Sequence, residues 1–394
     1  MADHPAWPGP GNGGMSDVLR IARRLVQARS ANPPGDTRQA AAAAEAELAG
    51  AFEVTRLEPV PGFVSVIGTH SFSQPGPTLI LCGHLDVVPV DQTANGWTRD
   101  PWAAEVADGW LYGRGSLDMK GAVAAMIVAA RRAVSDRDGL RGQIVVAAVA
   151  DEECGGRRGA GTVIEDVITE GDGVVIGEPG NGAICVAHRG MCFVEVTTRG
   201  LATHASTGGG VNAVTSMVRV LGALEGVELS HTPHTLLGGP SVAVGTMING
   251  GSTANVIPDV CRAMIDIRKV PGMTDESVLV DLHRRLTNAG VTDTVAFEVT
   301  TTVEPSVTPV SDPLVGVAVD AYRDEFHREP DISGMSATTD GWWFRNRLGI
   351  PTLMALGPGR IEDCHTVNER VLVAELDSYA RIYEGVIRRF LAVT

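Results

Sequence analysis

The sequence predicts an α/β protein: a mostly parallel sheet covered by helices, interrupted by an inserted ferredoxin-like α+β lid. Three observations carry this. Short β-branched runs that are apolar on both faces alternate with helical stretches, which is how strands of a covered parallel sheet read. Between residues 190 and 302 the order becomes β-α-β-β-α-β, the signature of a ferredoxin-like unit. After it the first pattern resumes. With 394 residues and roughly 150 residues per domain, the chain is expected to form one discontinuous domain, 1–189 and 303–394, around an inserted one, 190–302.

In chain order, an amphipathic helix is predicted over Ser16–Arg29, with Val18, Ile21, Leu25 and Val26 on one face and Ser16-Asp17 as its capping start. An Ala-rich helix follows over Thr37–Ala51. Strands are predicted at Val64–Ile67, Thr78–Cys82, Gln143–Val149 and Gly173–Ile176, with a helix at Gly121–Val134 between the second and third. The insert reads as strand Met191–Thr198, helix Asn212–Leu224, strands Ser241–Ile248 and Cys261–Arg268, helix Thr274–Asn288 and strand Val295–Thr302. The closing elements are a helix at Pro313–Phe326, a strand at Thr352–Leu356 and a helix at Val373–Leu391.

Composition narrows the function. Apolar residues make up 44%, charged residues 20% and aromatics 5%, ordinary usage for a globular protein. Lys and Arg number 32 against 47 Asp and Glu, a formal charge of −15, which lacks the footprint of a nucleic-acid or anionic-membrane binder. Apolar runs such as Ala122–Ala130 are far shorter than the ~20 residues a membrane span needs. The stretch Met1–Gly14 has neither a basic nor an apolar signal region and reads as a mobile leader. Its Gly9, Gly11 and Gly14 match a dinucleotide-binding pattern by chance, since no strand precedes them and Pro8 and Pro10 interrupt it. Six cysteines at irregular spacing, with no C-x-x-C pair, point to a reducing, cytoplasmic home. No G-x-S-x-G elbow exists; Gly334-Met335-Ser336-Ala337-Thr338 lacks its final glycine.

The chemistry gathers where strands end, which is where open α/β sheets bind ligands. The strand at Thr78–Cys82 runs into Gly83-His84-Leu85-Asp86, where residues two apart point the same way. His84 can bind a metal while Asp86 fixes its tautomer; taken alone, the pair reads equally as structural. Asp118, in a glycine-dense turn before a long apolar helix, reads either as a ligand or as an N-cap. Asp151-Glu152-Glu153 follow a buried strand, and clustered carboxylates repel unless a cation or a shared proton offsets them; a solvated acidic turn is the alternative, because Gly155 and Gly156 look turn-like. Glu178 follows the strand at Gly173–Ile176, and His365 follows the strand at Thr352–Leu356 through Gly357-Pro358-Gly359. Two histidines and three carboxylates at corresponding strand ends suit a pair of divalent cations such as zinc sharing one bridging Asp. Glu152 is then one carboxylate more than the metals need, and a spare acid beside activated water is what general-base hydrolysis requires. Cys82, Cys154 and Cys364, each close to a proposed ligand, read as small buried residues packing beneath the site.

The segments G-H-L-D-V-V-P at 83–89, G-R-G-S-L-D-M-K-G at 113–121, D-E-E at 151–153, G-E-P at 177–179 and C-H-T-V-N-E-R at 364–370 resemble the zinc-dependent deacylases and exopeptidases related to acetylornithine deacetylase, succinyl-diaminopimelate desuccinylase, aminoacylase and carboxypeptidase G. The resemblance spans nearly the whole chain in the right order. It implies a catalytic α/β domain with a ferredoxin-like lid that also dimerises. It implies two zinc ions, with cobalt or manganese as alternatives: Asp118 bridging, His84 and Glu178 completing one site, Glu153 and His365 the other, and Glu152 as acid/base. It also implies a cis Asp118-Met119 peptide. In the insert, Gly200-Leu201-Ala202-Thr203-His204 looks like the family segment whose histidine reaches the partner subunit's active site and stabilises the oxyanion; without the family, His204 is an ordinary loop histidine. The family often follows that histidine with a proline, and here Thr207-Gly208-Gly209-Gly210 stands instead. Asn255 and Arg268 resemble positions that contact the substrate backbone and carboxylate, although Arg268 can equally pair with Asp266 or Glu276.

The expectation is a cytoplasmic, homodimeric di-zinc amidohydrolase that removes an N-acyl group from an amino acid or related small molecule, with Glu152 as general base on a metal-bridging water. The Gly357-Pro358-Gly359 run tilts it toward acetylornithine deacetylase relatives. A metallo-dipeptidase or carboxypeptidase with the same metal site, acting on a short peptide, stays open beside it. A catalytically silent binding protein would show a damaged ligand or a missing base, and neither is seen.

Overall fold

A computed structural model describes residues 15–90 and 96–392. The stretch Met1–Gly14, expected to be a leader, lies outside the described residues. The chain divides into two compact units, one formed by Met1–Val186, Val307–Met335 and Thr339–Thr394, the other by Ala187–Ser306 and Ser336–Thr338.

The first unit opens with α1 (Asp17–Gln27), capped by Ser16 Oγ accepting the Leu19 amide, and α2 (Arg38–Leu48). Glu47 of α2 takes ion pairs from Arg20 and Arg24 of α1 and from Arg131 further on. Strands β1 (Glu53–Leu57), β2 (Ser65–Ser71) and β3 (Thr78–His84) follow, then β4 (Glu105–Ala107) and β5 (Trp110–Tyr112), helix α3 (Lys120–Ser135), β6 (Gln143–Val149), α4 (Ala160–Asp166), β7 (Gly173–Ile176) and β8 (Ala183–His188).

The second unit carries β9 (Gly190–Arg199), α5 (Ala213–Leu224), β10 (Ser241–Gly250), β11 (Val260–Lys269), α6 (Asp275–Asn288) and β12 (Val295–Val303). After β13 (Ser306–Val307) the chain adds α7 (Pro313–Phe326), β14 (Asp331–Met335), β15 (Thr352–Leu353), β16 (Arg370–Leu372) and α8 (Val373–Phe390).

The main sheet has the order β1-β2-β6-β3-β7-β15. Strands β6, β3, β7 and β15 run parallel, and the β1-β2 hairpin joins them antiparallel at one edge. On one face Ile80, Val145, Ala147 and Ile176 pack with Ala160 and Val163 of α4 and with Trp343 and Phe344. On the other lies α3, buried almost all round from Lys120 to Ala130, against β3, β6, α1 and α8; a helix apolar on every side belongs between layers. Its apolar run is thus explained by the sheet beneath it and the helices above.

In the second unit the sheet order is β10-β11-β9-β12, all antiparallel. Numbered within the unit, that is strand order 2-3-1-4, the ferredoxin-like arrangement the sequence predicts. Asn212 caps α5, and Thr274 with Ser277 forms a capping box on α6. Smaller sheets have the orders β13-β8-β14 and β16-β5-β4. Strands β4, β5, β13 and β16 are two or three residues long and β1 is polar, too little pattern to be seen in the sequence; β8, buried throughout and apolar up to its final His188, is not among the predicted strands.

Candidate active site

Every parallel strand of the main sheet ends in a loop that brings a polar side chain to the same place. β3 ends on His84, and the chain after it presents Asp86; β6 leads to Glu152 and Glu153; β7 leads to Glu178; and the loop after β15 holds His365. Asp118 stands just before α3. Met119, not Asp118, occupies the N-cap position, and the Asp118 side chain makes no capping bond. The Asp118-Met119 peptide is cis, as the resemblance implies.

Glycine makes the convergence sterically feasible. A Cβ on Gly83 would meet Met119 Cε at 2.6 Å and Val123 Cγ2 at 2.8 Å, and one on Gly177 would meet Met119 Cε and Met126 Cε at 2.8 Å. The glycines preceding His84 and Glu178 therefore let the start of α3 lie directly on the strand ends, with Asp118 between the two side chains.

The distances are short. His84 Nε2 lies 2.9 Å from Asp118 Oδ1 and 3.4 Å from Glu178 Oε1, while His365 Nε2 lies 3.2 Å from Asp118 Oδ2 and 3.3 Å from Glu153 Oε2. Two triads result, His84/Asp118/Glu178 and Asp118/Glu153/His365, each with its donor atoms within 4.8 Å of one another. Nitrogen and oxygen ligands about 2.1 Å from a tetrahedral divalent cation stand about 3.4 Å apart. The spacing and the donor chemistry both fit a cation in each triad, with Asp118 offering one oxygen to each.

Electrostatics agree. Burial works against the Asp118 carboxylate, yet the two imidazoles hold it far below the usual carboxylate range. Contacts with Asp118 and Glu153 push His365 up to about 10. For His84, burial opposes the charged form, but Asp118 and Glu178 prevail and raise it well above the ordinary imidazole value. Burial pushes Glu178 up to about 7 and raises Glu153 too. The site holds more carboxylate than its imidazoles neutralise, so it attracts positive charge.

Asp86 meets His84 through its main chain. His84 Nδ1 donates to the Asp86 backbone carbonyl at 2.8 Å, and the carboxylate Oδ1 is 3.9 Å away. Because a carbonyl can only accept, Nδ1 carries a proton and Nε2 is the nitrogen turned to Asp118 and Glu178; protonated, it donates to these carboxylates, and on giving up that proton it would offer its lone pair to a cation. The Asp86 carboxylate instead accepts the amides of Glu152 and Glu153 and the Asn32 side chain at 2.9 Å. Glu153 Oε1 in turn accepts the Val88 amide at 3.0 Å.

Glu152 sits on a single helical turn entered through Asp151 at φ 72°, a left-handed conformation that a non-glycine residue adopts at a cost and that concentrates at functional sites. Burial, with Glu178, Asp340 and Glu153 around it and His84 opposing, pushes its carboxyl well above the ordinary range. Asp151 itself is held by Arg158, with Nη2 to Oδ1 at 2.7 Å, so the bland reading of a solvated acidic turn does not describe it.

Cys82 and Cys364 are buried, as expected, but Cys154 is exposed, its Sγ 3.3 Å from Asn32 Oδ1. All six cysteines are free.

His204, Asn255 and Arg268 belong to the second unit. His204 is exposed, Nδ1 2.7 Å from Ser206 Oγ, and its loop meets that of Asn255, whose carbonyl accepts the Ala205 amide at 2.9 Å. Arg268 pairs with Asp266, Nε to Oδ1 at 2.9 Å and Nη2 to Oδ2 at 3.0 Å. That is the structural pairing which the sequence left open.

Sequence reasoning missed Asn32, Arg114, Glu369 and Asp340 around the donor cluster. Arg114 lies in G-R-G-S and Glu369 in N-E-R, so proximity to the proposed ligands was the available signal. Asp340 is buried, its carboxyl pushed well above the usual range by burial, and a lone Asp in Thr339-Asp340-Gly341 carries no pattern of its own.

Residues 80–389 match the model of peptidase family M20/M25/M40. A succinyl-diaminopimelate desuccinylase of Methylobacterium radiotolerans is 31% identical over 390 residues, covering 94% of this chain and 96% of that protein. Among solved structures, the M20 family metallo-carboxypeptidase Sso-CP2 of Sulfolobus solfataricus superposes with a TM-score of 0.78 at 19% identity, over 95% of this chain and 99% of the other. Human carnosine dipeptidase 1 does so with a TM-score of 0.74 at 19% identity, over 95% and 96%. These two share its fold. With a family match across most of its length, the chain belongs to peptidase family M20/M25/M40.

Proposed function

We propose that this hydrolase of linear amides is a dinuclear N-acyl amino acid deacylase, and that succinyl or another short acyl group on an amino acid nitrogen is the bond it cleaves. The observation that carries the reading is the pair of donor triads sharing Asp118, beside a Glu152 that neither triad uses. The 31% identity to a succinyl-diaminopimelate desuccinylase over nearly the full length favours a deacylase.

His84, Asp118 and Glu178 would hold one divalent cation and Asp118, Glu153 and His365 the other, zinc being the metal that this mixed imidazole and carboxylate set suits best. When bound, such a pair polarises an amide carbonyl and acidifies water. Glu152 takes the proton of the attacking water on its carboxylate as the water oxygen bonds to the acyl carbon. It then delivers that proton to the departing amide nitrogen, so the C–N bond breaks to give an acid and an amine. Burial and the neighbouring carboxylates raise its carboxyl, which favours keeping the transferred proton on Glu152 until the amine departs.

In the same reading His204 donates to the oxyanion in the active site of a partner subunit, and Arg268 and Asn255 bind substrate, Arg268 by exchanging Asp266 for a substrate carboxylate. A homodimer through the second unit is supported by β10, an edge strand whose Met247 and Ile248 are 69% and 55% exposed. The proposed location is the cytoplasm, in keeping with six free cysteines; no helix of the described residues is long and apolar enough to cross a membrane.

The test is an assay of N-succinyl, N-acetyl and N-formyl amino acids beside dipeptides, on the wild type and Glu152→Ala. The reading expects turnover of acyl amino acids above dipeptides, and a loss of a hundredfold or more in the variant with its metal still bound. Preference for dipeptides would favour the exopeptidase reading, and wild-type activity in Glu152→Ala would remove Glu152 from the mechanism.

A further inference from the structure

The donor side chains do not depend on the fold equally. His84 and Glu178 stand at the ends of β3 and β7, which pair directly in the parallel sheet. Asp118 and His365 sit in loops, and His365 adopts a left-handed conformation at φ 60° with a side chain 52% exposed. One buried ion pair joins these two loops. Arg114, 4% exposed, pairs through Nη1 with Oε2 of Glu369, 1% exposed, while its Nη2 donates to the His365 carbonyl at 3.3 Å. Glu369 Oε1 accepts the amides of Leu117 at 3.0 Å and Asp118 at 3.1 Å, and the Glu369 carbonyl accepts the Gly113 amide at 2.9 Å. The guanidinium lies against Trp97, 5.4 Å from the ring centroid.

A buried ion pair stabilises a fold little better than apolar residues of the same size. What an apolar pair cannot do is bind acceptors on two loops at once, and a planar guanidinium fork can. On one side the pair fixes the backbone that carries Asp118; on the other, the backbone that carries His365. Neither Arg114 nor Glu369 contributes a donor atom to either triad, so both act through the main chain.

We infer that Arg114 and Glu369 are a positioning pair that holds His365 against Asp118, and so sets the affinity of the cation position made by Asp118, Glu153 and His365. The inference rests on the dinuclear reading above. The position made by His84, Asp118 and Glu178 depends on it less, because the sheet itself orients His84 and Glu178.

Calorimetric titration of the metal-free protein with Zn²⁺ tests this. Arg114→Lys keeps the charge opposite Glu369 but has no fork to reach the His365 carbonyl as well. Glu369→Gln keeps an oxygen for the two amides but loses the charge that fixes Arg114. In each variant, shown to be folded by circular dichroism, one Zn²⁺ is expected to bind as in the wild type and the second about tenfold to a hundredfold more weakly, the effect that outer-shell partners of metal ligands have. Two ions bound with unchanged affinity would overturn the inference, as would equal weakening of both, which would mark a general structural role. If Arg114→Lys does not fold, Glu369→Gln decides. A wild type that takes up no Zn²⁺ would instead overturn the dinuclear reading, and the inference with it.

Discussion

The Asp86 carboxylate accepts the backbone amide of Glu152 at 3.1 Å. With the Glu153 amide at 3.2 Å on its other oxygen, one buried side chain sets the turn that carries both the proposed base and a proposed ligand. The H-x-D pattern thus does two jobs with two parts of one residue: the Asp86 carbonyl orients His84, and the Asp86 carboxylate orients the acidic turn.

Asp86→Ala should therefore leave His84 in place and loosen the turn. We expect kcat to fall about tenfold to a hundredfold, with the KM for substrate little changed and at least one metal ion retained. Steady-state kinetics with metal analysis on the same sample checks this. Complete loss of metal would show that the carboxylate, not the carbonyl, holds the imidazole.

Asp118 gives one oxygen to each triad, Oδ1 toward His84 and Oδ2 toward His365. Asp118→Asn replaces one of these oxygens by an NH₂ that cannot ligate and removes the shared charge, so both cation positions should weaken. His365→Ala should affect only one. Equilibrium dialysis against zinc is expected to show fewer than one ion per chain at tight-binding concentrations in the first variant and one in the second. Two tightly held ions in Asp118→Asn would refute the bridging role.

His188 offers a pH test away from the donor cluster. It is fully buried, Nδ1 2.8 Å from the Arg189 carbonyl, and burial lowers it from 6.5 to about 4. As pH falls, the unfolded chain takes up this proton first. The contribution of neutral His188 is therefore fully present above pH 6.5 and is lost progressively as pH drops toward 4, about 3 kcal/mol in all at this depression. Urea unfolding between pH 7 and 4 should show a weaker loss of stability in His188→Gln than in the wild type. Parallel curves would show that His188 is protonated in the folded state at the same pH as in the unfolded one.

The elements that bury a complete apolar pattern were legible. The run Gln143–Val149 and the run Gly173–Ile176 became β6 and β7 with the predicted bounds, and Pro313–Phe326 became α7, because a strand between two helical layers must be apolar on both faces. β1 was not legible: it is an edge strand paired on one side, with side chains largely in solvent, so the sheet contributes its hydrogen bonds and its sequence needs no apolar periodicity. Asp118 had two readings in sequence, cap or ligand, since an Asp before a helix looks the same for either; with Met119 at the N-cap position and two imidazoles on its carboxylate, the structure speaks against the cap.

What the sequence determined by itself is which residue types stand at the ends of buried strands, and that in turn determines the layered fold and the kinds of chemistry available at its edge. Only the tertiary structure decided which atom of each residue does what: the Asp86 carbonyl rather than its carboxylate on His84, Asp266 rather than Glu276 on Arg268, Arg114 and Glu369 tying two loops together. Burial and periodicity are local properties repeated along a chain. A hydrogen bond between residues 255 positions apart, as between Arg114 and Glu369, exists only once the backbone has brought them within 3 Å, and no pattern around either residue encodes that meeting.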